Sequence, residues 1–235
     1  MNDGMVRIFA HRGAWKEHPE NTLAAFRRAM ELGADALELD MHQTRDGVVV
    51  VSHDPDGARV FGKPRRIAES TWEEVRGWGA PSLEEVIQAF PGVPINVDLK
   101  VDCAAAAVET VKRLNAEEQV TLASFSSTTL RRVRSLGYRG PTGLGRGEVA
   151  RMLALPTVAQ RGVLKPPGTA AQLPLNLAQG WIVQRCHALG LRVDVWTVND
   201  AETARRLVAL GVDGIMTDDL PLIVPALHQE TRTRP

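Results

Sequence analysis

The length, composition and charge of the chain describe an ordinary globular protein. Its 235 residues are 44% hydrophobic and 24% charged, which allows a sizeable core and excludes intrinsic disorder. The 28 basic and 28 acidic residues cancel, so the sequence has no general basic excess for nucleic acid or a membrane surface. We find neither a signal peptide nor an apolar run of about 18 residues that could span a membrane, and we expect a cytoplasmic protein.

Strand-like and helix-like segments alternate along the chain with short links, which predicts a parallel sheet. The main predicted strands are residues 6–10, 35–41, 48–52, 94–100, 120–124, 192–197 and 214–216. The predicted helices are residues 21–31, 83–90, 104–114, 128–136, 182–189 and 201–210. Ser82 and Glu85 form a capping-box pattern before the second of these helices.

The number of strands and the length favour one α/β domain over residues 1–235, a TIM (β/α)8 barrel rather than an open sheet. The fifth and sixth strands are placed in residues 138–177, which are rich in Gly and Pro. A short insertion is predicted at about 53–81, and the tail after Pro225 is expected to be frayed. Cys103 and Cys186 are too few for a disulfide framework, and we interpret them as small core residues.

The second predicted strand carries two carboxylates where a parallel barrel normally has apolar residues. Glu38 and Asp40 share one face because side chains alternate along a strand. A solvent-exposed strand of an antiparallel sheet would explain them. The alternative is a pair of hard oxygen ligands for Mg²⁺ or Ca²⁺ at the carboxyl end of a barrel strand.

The next main strand repeats this pattern with Asp98 and Lys100 on one face. One explanation is a structural ion pair between the two residues. The other is that Asp98 supplies a third carboxylate and Lys100 supplies a positive charge nearer the mouth of the barrel. Beside Glu38 and Asp40, we interpret the set as a metal site with an anion-binding group.

Two histidines directly follow predicted strands. His11 follows the first strand and His53 follows the short strand after the second, so both are expected at the catalytic end of a barrel. Such a pair suits general acid–base chemistry, since His titrates near neutral pH. Arg12 adds a bidentate donor for phosphate or carboxylate. His42 shares the strand face of Asp40, but we interpret it as non-catalytic.

Motifs along nearly the whole chain resemble the glycerophosphodiester phosphodiesterase family. They are His11-Arg12-Gly13, Pro19-Glu20-Asn21-Thr22, Glu38-Leu39-Asp40, Thr44-Arg45-Asp46-Gly47, His53-Asp54, Pro81-Ser82-Leu83-Glu84-Glu85, Val195-Trp196-Thr197-Val198-Asn199 and residues 211–218. Asp98 departs from the pattern, since the family usually has Glu there.

The resemblance implies a TIM barrel that uses one divalent cation, Mg²⁺ or Ca²⁺, to cleave glycerophosphodiesters to glycerol 3-phosphate and an alcohol. It implies a role for each matching residue. His11 and His53 match the catalytic pair. Arg12 and Lys100 match phosphate-binding residues, and Trp196 matches an aromatic residue of the pocket wall. The residues that match metal ligands are Glu38, Asp40 and Asp98, and Glu20 matches a further ligand or a neighbour of the metal.

Two other functions stay open. One is a phospholipase D-like lyase that acts on lysophospholipids and forms a cyclic phosphate. The other is a non-catalytic sensor that binds glycerophosphate. The expected partner is in each case a small molecule, with no nucleic acid and no membrane span, and the sequence leaves the oligomeric state and the native metal open.

Overall fold

Strands and helices alternate along the computed structural model, which describes residues 6–154 and 165–231. The strands are β1 (Arg7–His11), β2 (Ala36–Gln43), β3 (Val49–Val51), β4 (Asp56–Gly57), β5 (Lys63–Arg66), β6 (Ile95–Leu99), β7 (Val120–Ala123), β8 (Ala170–Pro174), β9 (Arg192–Trp196) and β10 (Gly214–Thr217). The helices are α1 (Leu23–Glu31), α2 (Ala58–Phe61), α3 (Trp72–Trp78), α4 (Leu83–Ala89), α5 (Ala104–Arg113), α6 (Ser127–Ser135), α7 (Arg146–Ala154), α8 (Gly180–Ala188), α9 (Ala201–Ala209) and α10 (Leu220–Thr231).

The parallel strands form a ring. Their order is β7-β6-β2-β1-β10-β9-β8, so the first and last strands of the chain are neighbours. Thr142 and Gly143 close the gap between the two ends, since Thr142 bridges to β7 and Gly143 to β8, both in parallel. The eight positions confirm the predicted α/β TIM barrel. The fifth strand is therefore a short bridge and the sixth is β8, while residues 155–164 of the predicted region lie outside the described residues.

Apolar residues explain why the ring is stable. Large side chains such as Ile8, Leu37, Leu39 and Ile95 are almost fully buried, and they belong to one hydrophobic cluster that joins strands and helices. The exposed-sheet interpretation of β2 is wrong, because Glu38 and Asp40 are only 5% and 1% exposed and lie between parallel neighbours.

Local capping signals set several helix starts. Ser82 and Glu85 form the predicted capping box at α4 through both reciprocal hydrogen bonds. At α1 the cap is Thr22, whose hydroxyl accepts from the Ala25 N–H. The C-terminal tail continues beyond Pro225 as helix, since α10 ends at Thr231, and residues 232–235 lie outside the described residues.

The predicted insertion has structure of its own. It contains a two-stranded antiparallel sheet of β4 and β5, the short helix α2 and the helix α3. Val75 and Ile67 from this segment bury against Val50 in a second, small apolar cluster. The insertion is thereby attached beside β3, next to the carboxyl end of β2.

Both cysteines are buried and neither forms a disulfide, as predicted. Burial raises the pKa of the Cys103 thiol to about 12 and that of Cys186 to about 11, so both stay protonated at neutral pH. In the described part of the chain, every helix is too short or too polar to cross a bilayer.

Candidate active site

A polar pocket lies at the carboxyl ends of the barrel strands, with a cavity volume of about 230 Å³. It collects the predicted site residues except Glu20, namely His11, Arg12, Glu38, Asp40, His53, Asp98, Lys100 and Trp196. Strand register explains the convergence. His11 on β1 pairs with Glu38 on β2, and Asp40 on β2 pairs with Asp98 on β6.

His11 is held by Asp218, which follows β10. Its Nδ1 lies 2.7 Å from Asp218 Oδ1, and its Nε2 lies 3.9 Å from Glu38 Oε2. Burial lowers the pKa of His11, but the hydrogen bond from its ring to Asp218 and the negative charges of Glu38 and Asp218 outweigh burial, and the net pKa is raised.

Asp218 is an ionised carboxylate. Burial raises its pKa, but hydrogen bonds donated by His11, Trp15 and Asn199 lower the pKa overall to about 2. An ionised carboxylate can only accept hydrogen bonds, so Nδ1 of His11 carries a proton and Nε2 is left for chemistry.

His53 has the same kind of partner. Its Nδ1 lies 2.8 Å from Asp54 Oδ1. The hydrogen bond that Arg59 donates to Asp54 lowers the pKa of this carboxyl to about 2, and the bond from His53 acts in the same direction. Nδ1 of His53 is therefore also the donor, and two His–Asp pairs contact the same pocket from different strands.

The three predicted metal-ligating carboxylates are crowded together. Burial and the nearby charge of Asp40 raise the pKa of Glu38 to about 8. Asp40 and Asp98 instead share an ammonium group, because Lys100 Nζ lies 2.8 Å from Asp40 Oδ1 and 2.6 Å from Asp98 Oδ2. Burial raises the pKa of Asp98. For Asp40, the Lys100 and Arg12 charges outweigh burial and its pKa is lowered.

Arg12 has a left-handed backbone, with φ of 59°, and its N–H groups face the carboxylates. The main-chain N–H of Arg12 donates to Glu38 Oε2 at 3.2 Å, and the side-chain Nε lies 3.2 Å from Asp40 Oδ2. That buried Nε makes no hydrogen bond of good geometry to the described residues. Its contact with Asp40 is therefore mainly electrostatic, and Arg12 adds positive charge to the lining of the pocket.

Glu20 does not lie with the other carboxylates. Arg59 donates to both of its oxygens, at 2.6 and 2.8 Å, and Arg12 donates to one of them at 3.3 Å. Burial raises the pKa of Glu20, but the Arg59 bond and the two guanidinium charges lower it overall. The structure therefore makes Glu20 a partner of arginines rather than a member of the carboxylate cluster.

The carboxylate cluster fits a divalent cation by its chemistry. Three hard oxygen donors lie on neighbouring strands, and the buried Glu38 lacks a full compensating charge. In residues 6–154 and 165–231, no group of three or more acidic, histidine or cysteine side chains is already arranged as a formed metal site. In this structure Lys100 Nζ bridges Asp40 and Asp98.

Aromatic side chains form one wall of the pocket. Trp196 at the end of β9 lines it, and its ring packs edge-on against Phe125 at 5.6 Å between centroids. His42 lies outside this lining. Its Nε2 is 3.2 Å from the main-chain carbonyl of His53, and burial lowers its pKa, which suits the non-catalytic interpretation.

The sequence interpretation missed four residues that position the site: Asn21, Arg59, Asn199 and Asp218. Asn21, quoted only as part of a motif, has a left-handed backbone and donates to Asp40 Oδ2 at 3.0 Å. Asn199 and Asp218 were quoted as parts of motifs without a role, although their places directly after β9 and β10 could have indicated one. Arg59 carried no such signal, because its partners lie 5 and 39 residues away.

The fold and the pocket define a (β/α)8 barrel with a charged pocket at the carboxyl ends of its strands, where barrel enzymes have their active sites. Residues 11–222 match the model of the glycerophosphoryl diester phosphodiesterase family. The chain belongs to this family.

Individual relatives align with this chain over almost its whole length. The glycerophosphodiester phosphodiesterase of Caldanaerobacter subterraneus subsp. tengcongensis is 30% identical, with 90% of this chain and 93% of the relative covered. The crystal structure of a Thermotoga maritima glycerophosphodiester phosphodiesterase is 27% identical, with a TM-score of 0.76 and 94% and 97% of the two chains covered. An Oleispira antarctica phosphodiesterase, solved with its product sn-glycerol-3-phosphate, shares the fold with a TM-score of 0.80, at 23% identity over 95% and 97% of the chains.

Proposed function

We propose that this protein hydrolyses glycerophosphodiesters to glycerol 3-phosphate and an alcohol, with His11 and His53 as the acid–base pair. The observation that supports this most directly is the pair of His–Asp contacts in one pocket. Each imidazole is oriented by a carboxylate, and the same pocket holds acidic and basic side chains suited to a cation and a phosphate.

The proton transfers use the Nε2 atoms. One histidine takes a proton from the nucleophile, and the other donates a proton to the oxygen of the leaving alcohol. If the nucleophile is water, glycerol 3-phosphate forms directly. If it is the glycerol 2-hydroxyl, a cyclic phosphate forms first and a water molecule then opens the ring to give glycerol 3-phosphate. Asp218 and Asp54 hold the two rings in the required tautomer and stabilise each ring when it becomes charged.

The basic residues bind the phosphate. Arg12 contributes its guanidinium charge, and Lys100 contributes an ammonium group at the same end of the barrel. Both charges stabilise the negative charge that develops on the phosphoryl oxygens.

Glu38, Asp40 and Asp98 would hold one divalent cation, Mg²⁺ or Ca²⁺. Bound there, the cation supplies a Lewis acid for a phosphate oxygen. Lys100 would have to leave Asp40 and Asp98, which frees its ammonium group for the substrate.

The test is an assay of the chelator-treated protein with glycerophosphocholine and glycerophosphoethanolamine, restoring Mg²⁺, Ca²⁺ or Mn²⁺ singly. We expect glycerol 3-phosphate release that depends on a restored ion and that falls by about 10²–10⁴-fold in His11→Ala and His53→Ala. Circular dichroism of both variants controls for folding. A cyclic phosphate as the end product, with no glycerol 3-phosphate, would indicate the lyase instead, and binding of glycerol 3-phosphate without turnover would indicate the sensor.

A further inference from the structure

Two side-chain amides line the polar pocket, and the chemistry proposed above uses neither of them. They belong to Asn96 on β6 and Gln172 on β8. Asn96 precedes Asp98 by two residues on the same face of β6, so it lies about 7 Å deeper in the barrel, in register with Glu38 on β2. Only 2% of Asn96 is exposed, which places its amide at the floor of the pocket.

A hydrogen bond joins the two amides, because Gln172 Nε2 donates to Asn96 Oδ1. The bond occupies one polar atom of each side chain. The other two atoms, Nδ2 of Asn96 and Oε1 of Gln172, have no hydrogen-bond partner within residues 6–154 and 165–231. The pair therefore presents one free donor and one free acceptor whose relative position is fixed.

The remaining floor of the pocket is poor in groups that could satisfy these atoms. Leu144 and Phe125 line the same space and carry no polar side-chain atom. Polar atoms at this depth cost free energy unless a bound group pairs with them. A hydroxyl group is their complement, since its oxygen accepts a hydrogen bond from one amide while its proton is donated to the other.

We propose that Asn96 and Gln172 bind the terminal hydroxyl of the glycerol moiety and make the site selective for diesters of glycerol. Asn96 Nδ2 donates to the hydroxyl oxygen, and the hydroxyl donates to Gln172 Oε1. The inference rests on the proposed function of the pocket, because it takes the phosphate to be bound by Arg12 and Lys100 nearer the mouth.

The chemistry of the substrate decides which group reaches the floor. The terminal hydroxyl is one carbon farther from the phosphorus than the 2-hydroxyl, so it extends deeper when the phosphate lies near the mouth. The quaternary ammonium of choline neither donates nor accepts a hydrogen bond, and it would leave both amide atoms unpaired. The glycerol end of the diester therefore suits the floor, and the alcohol end suits the open side of the pocket.

The first experiment removes one hydroxyl of the substrate at a time. Glycerophosphocholine is compared with propane-1,2-diol phosphocholine, which lacks the terminal hydroxyl, and with propane-1,3-diol phosphocholine, which lacks the 2-hydroxyl. In the wild-type protein, loss of the terminal hydroxyl should lower kcat/KM by about 10²-fold, because the donor and the acceptor are both left unpaired. In Asn96→Ala and in Gln172→Ala this ratio should fall to about tenfold or less. The ratio for the 2-hydroxyl should stay at its wild-type value.

Thr121→Val is the matched control. Thr121 on β7 is buried in register beside Asn96 but lies outside the lining of the pocket. The substitution keeps the size of the side chain, so both hydroxyl ratios should equal those of the wild-type protein. Gln172 is only half-buried, and Gln172→Ala keeps the test available should Asn96→Ala fold poorly.

Calorimetry with the product gives the same comparison without turnover. In the presence of Mg²⁺ or Ca²⁺, the wild-type protein should bind glycerol 3-phosphate about tenfold more tightly than propane-1,2-diol 1-phosphate, and both alanine variants should reduce this difference. Equal kcat/KM for glycerophosphocholine and the analogue without the terminal hydroxyl would overturn the proposal. An unchanged ratio in both variants would also overturn it, since a structural role lowers both activities equally. Turnover without hydroxyl selectivity would overturn this inference alone, whereas no turnover of any diester would contradict the proposed function.

Discussion

At the scale of single residues, Asp218 fixes the state of His11. Its carboxylate accepts from Nδ1 and contributes to the raised pKa of the ring. In Asp218→Asn the negative charge is lost, so the pKa of His11 should fall, and phosphodiesterase activity should drop by roughly 10–100-fold as the ring loses its orientation.

NMR titration of the His11 ring in cation-free protein measures the pKa change. Asp219→Asn is the matched control, because Asp219 pairs with the exposed Lys16 instead of a ring in the pocket. An unchanged His11 pKa in Asp218→Asn would contradict the assigned role.

Arg59 connects the carboxylate that orients His53 with the carboxylate that contacts Arg12. Its three hydrogen bonds, of 2.6, 2.6 and 2.8 Å, join Asp54, the partner of His53, to Glu20, the partner of Arg12. In Arg59→Gln we expect kcat/KM to fall by about 10²-fold, with KM raised and kcat lowered, since both phosphate binding and His53 orientation suffer.

Arg65→Gln is the matched control, because Arg65 lies in the same insertion and bonds to Glu74 and a main-chain carbonyl away from the pocket. Partial recovery of activity by added guanidinium would support a positioning role for Arg59. Wild-type kinetics in Arg59→Gln would exclude it.

The raised pKa of Glu38 should make the stability of the folded protein depend on pH. Its pKa is about 8 in the folded protein and about 4.3 in an unfolded chain, so between these values the folded state binds more protons. Stability of the cation-free protein should therefore fall as pH rises through this window. Mg²⁺ or Ca²⁺ should offset the loss at pH near 8, because a bound cation favours the ionised carboxylate.

Urea unfolding at several pH values measures this dependence, which Glu38→Gln should flatten. Glu31→Gln, at an exposed carboxylate on α1, should leave the wild-type slope. A pH slope that is identical in the wild-type protein and in Glu38→Gln would contradict the raised pKa.

At the scale of elements, the capping box of α4 offers a local test. Glu85 N–H donates to Ser82 Oγ at 3.1 Å, and Ser82 N–H donates to Glu85 Oε2 at 3.0 Å. Ser82→Ala should lower the free energy of unfolding by about 1 kcal/mol, as measured in urea. Ser135→Ala, which removes an exposed hydroxyl that caps no helix start, should change it by less than about 0.5 kcal/mol.

Element positions were largely predictable because their signals are local. The alternation of Leu37, Leu39 and Met41 with Glu38 and Asp40 placed β2, and the Ser82 pattern placed α4. The start of α1 shows where local signals no longer decide the structure. Asn21 and Thr22 are both good caps, and a contact between Asn21 and Asp40 on another element left Thr22 in that role.

At the scale of the whole molecule, ring closure depends on the least predictable segment. Thr142 and Gly143 complete the barrel with one bridge each, so too few residues take part to produce a periodic strand signal. The same ring brings β10 beside β1, which places Asp218 against His11 across 207 residues of sequence.

The sequence by itself determined the alternation of strands and helices, and with it the strand ends at which His11, Glu38, Asp98 and Trp196 lie, because periodicity and capping are local properties. The tertiary structure alone decided which charges meet. It paired Glu20 with Arg59 rather than with the carboxylate cluster, and it placed Lys100 between Asp40 and Asp98. These contacts depend on strand register and on the fold of the insertion, which bring together side chains that no short stretch of sequence relates.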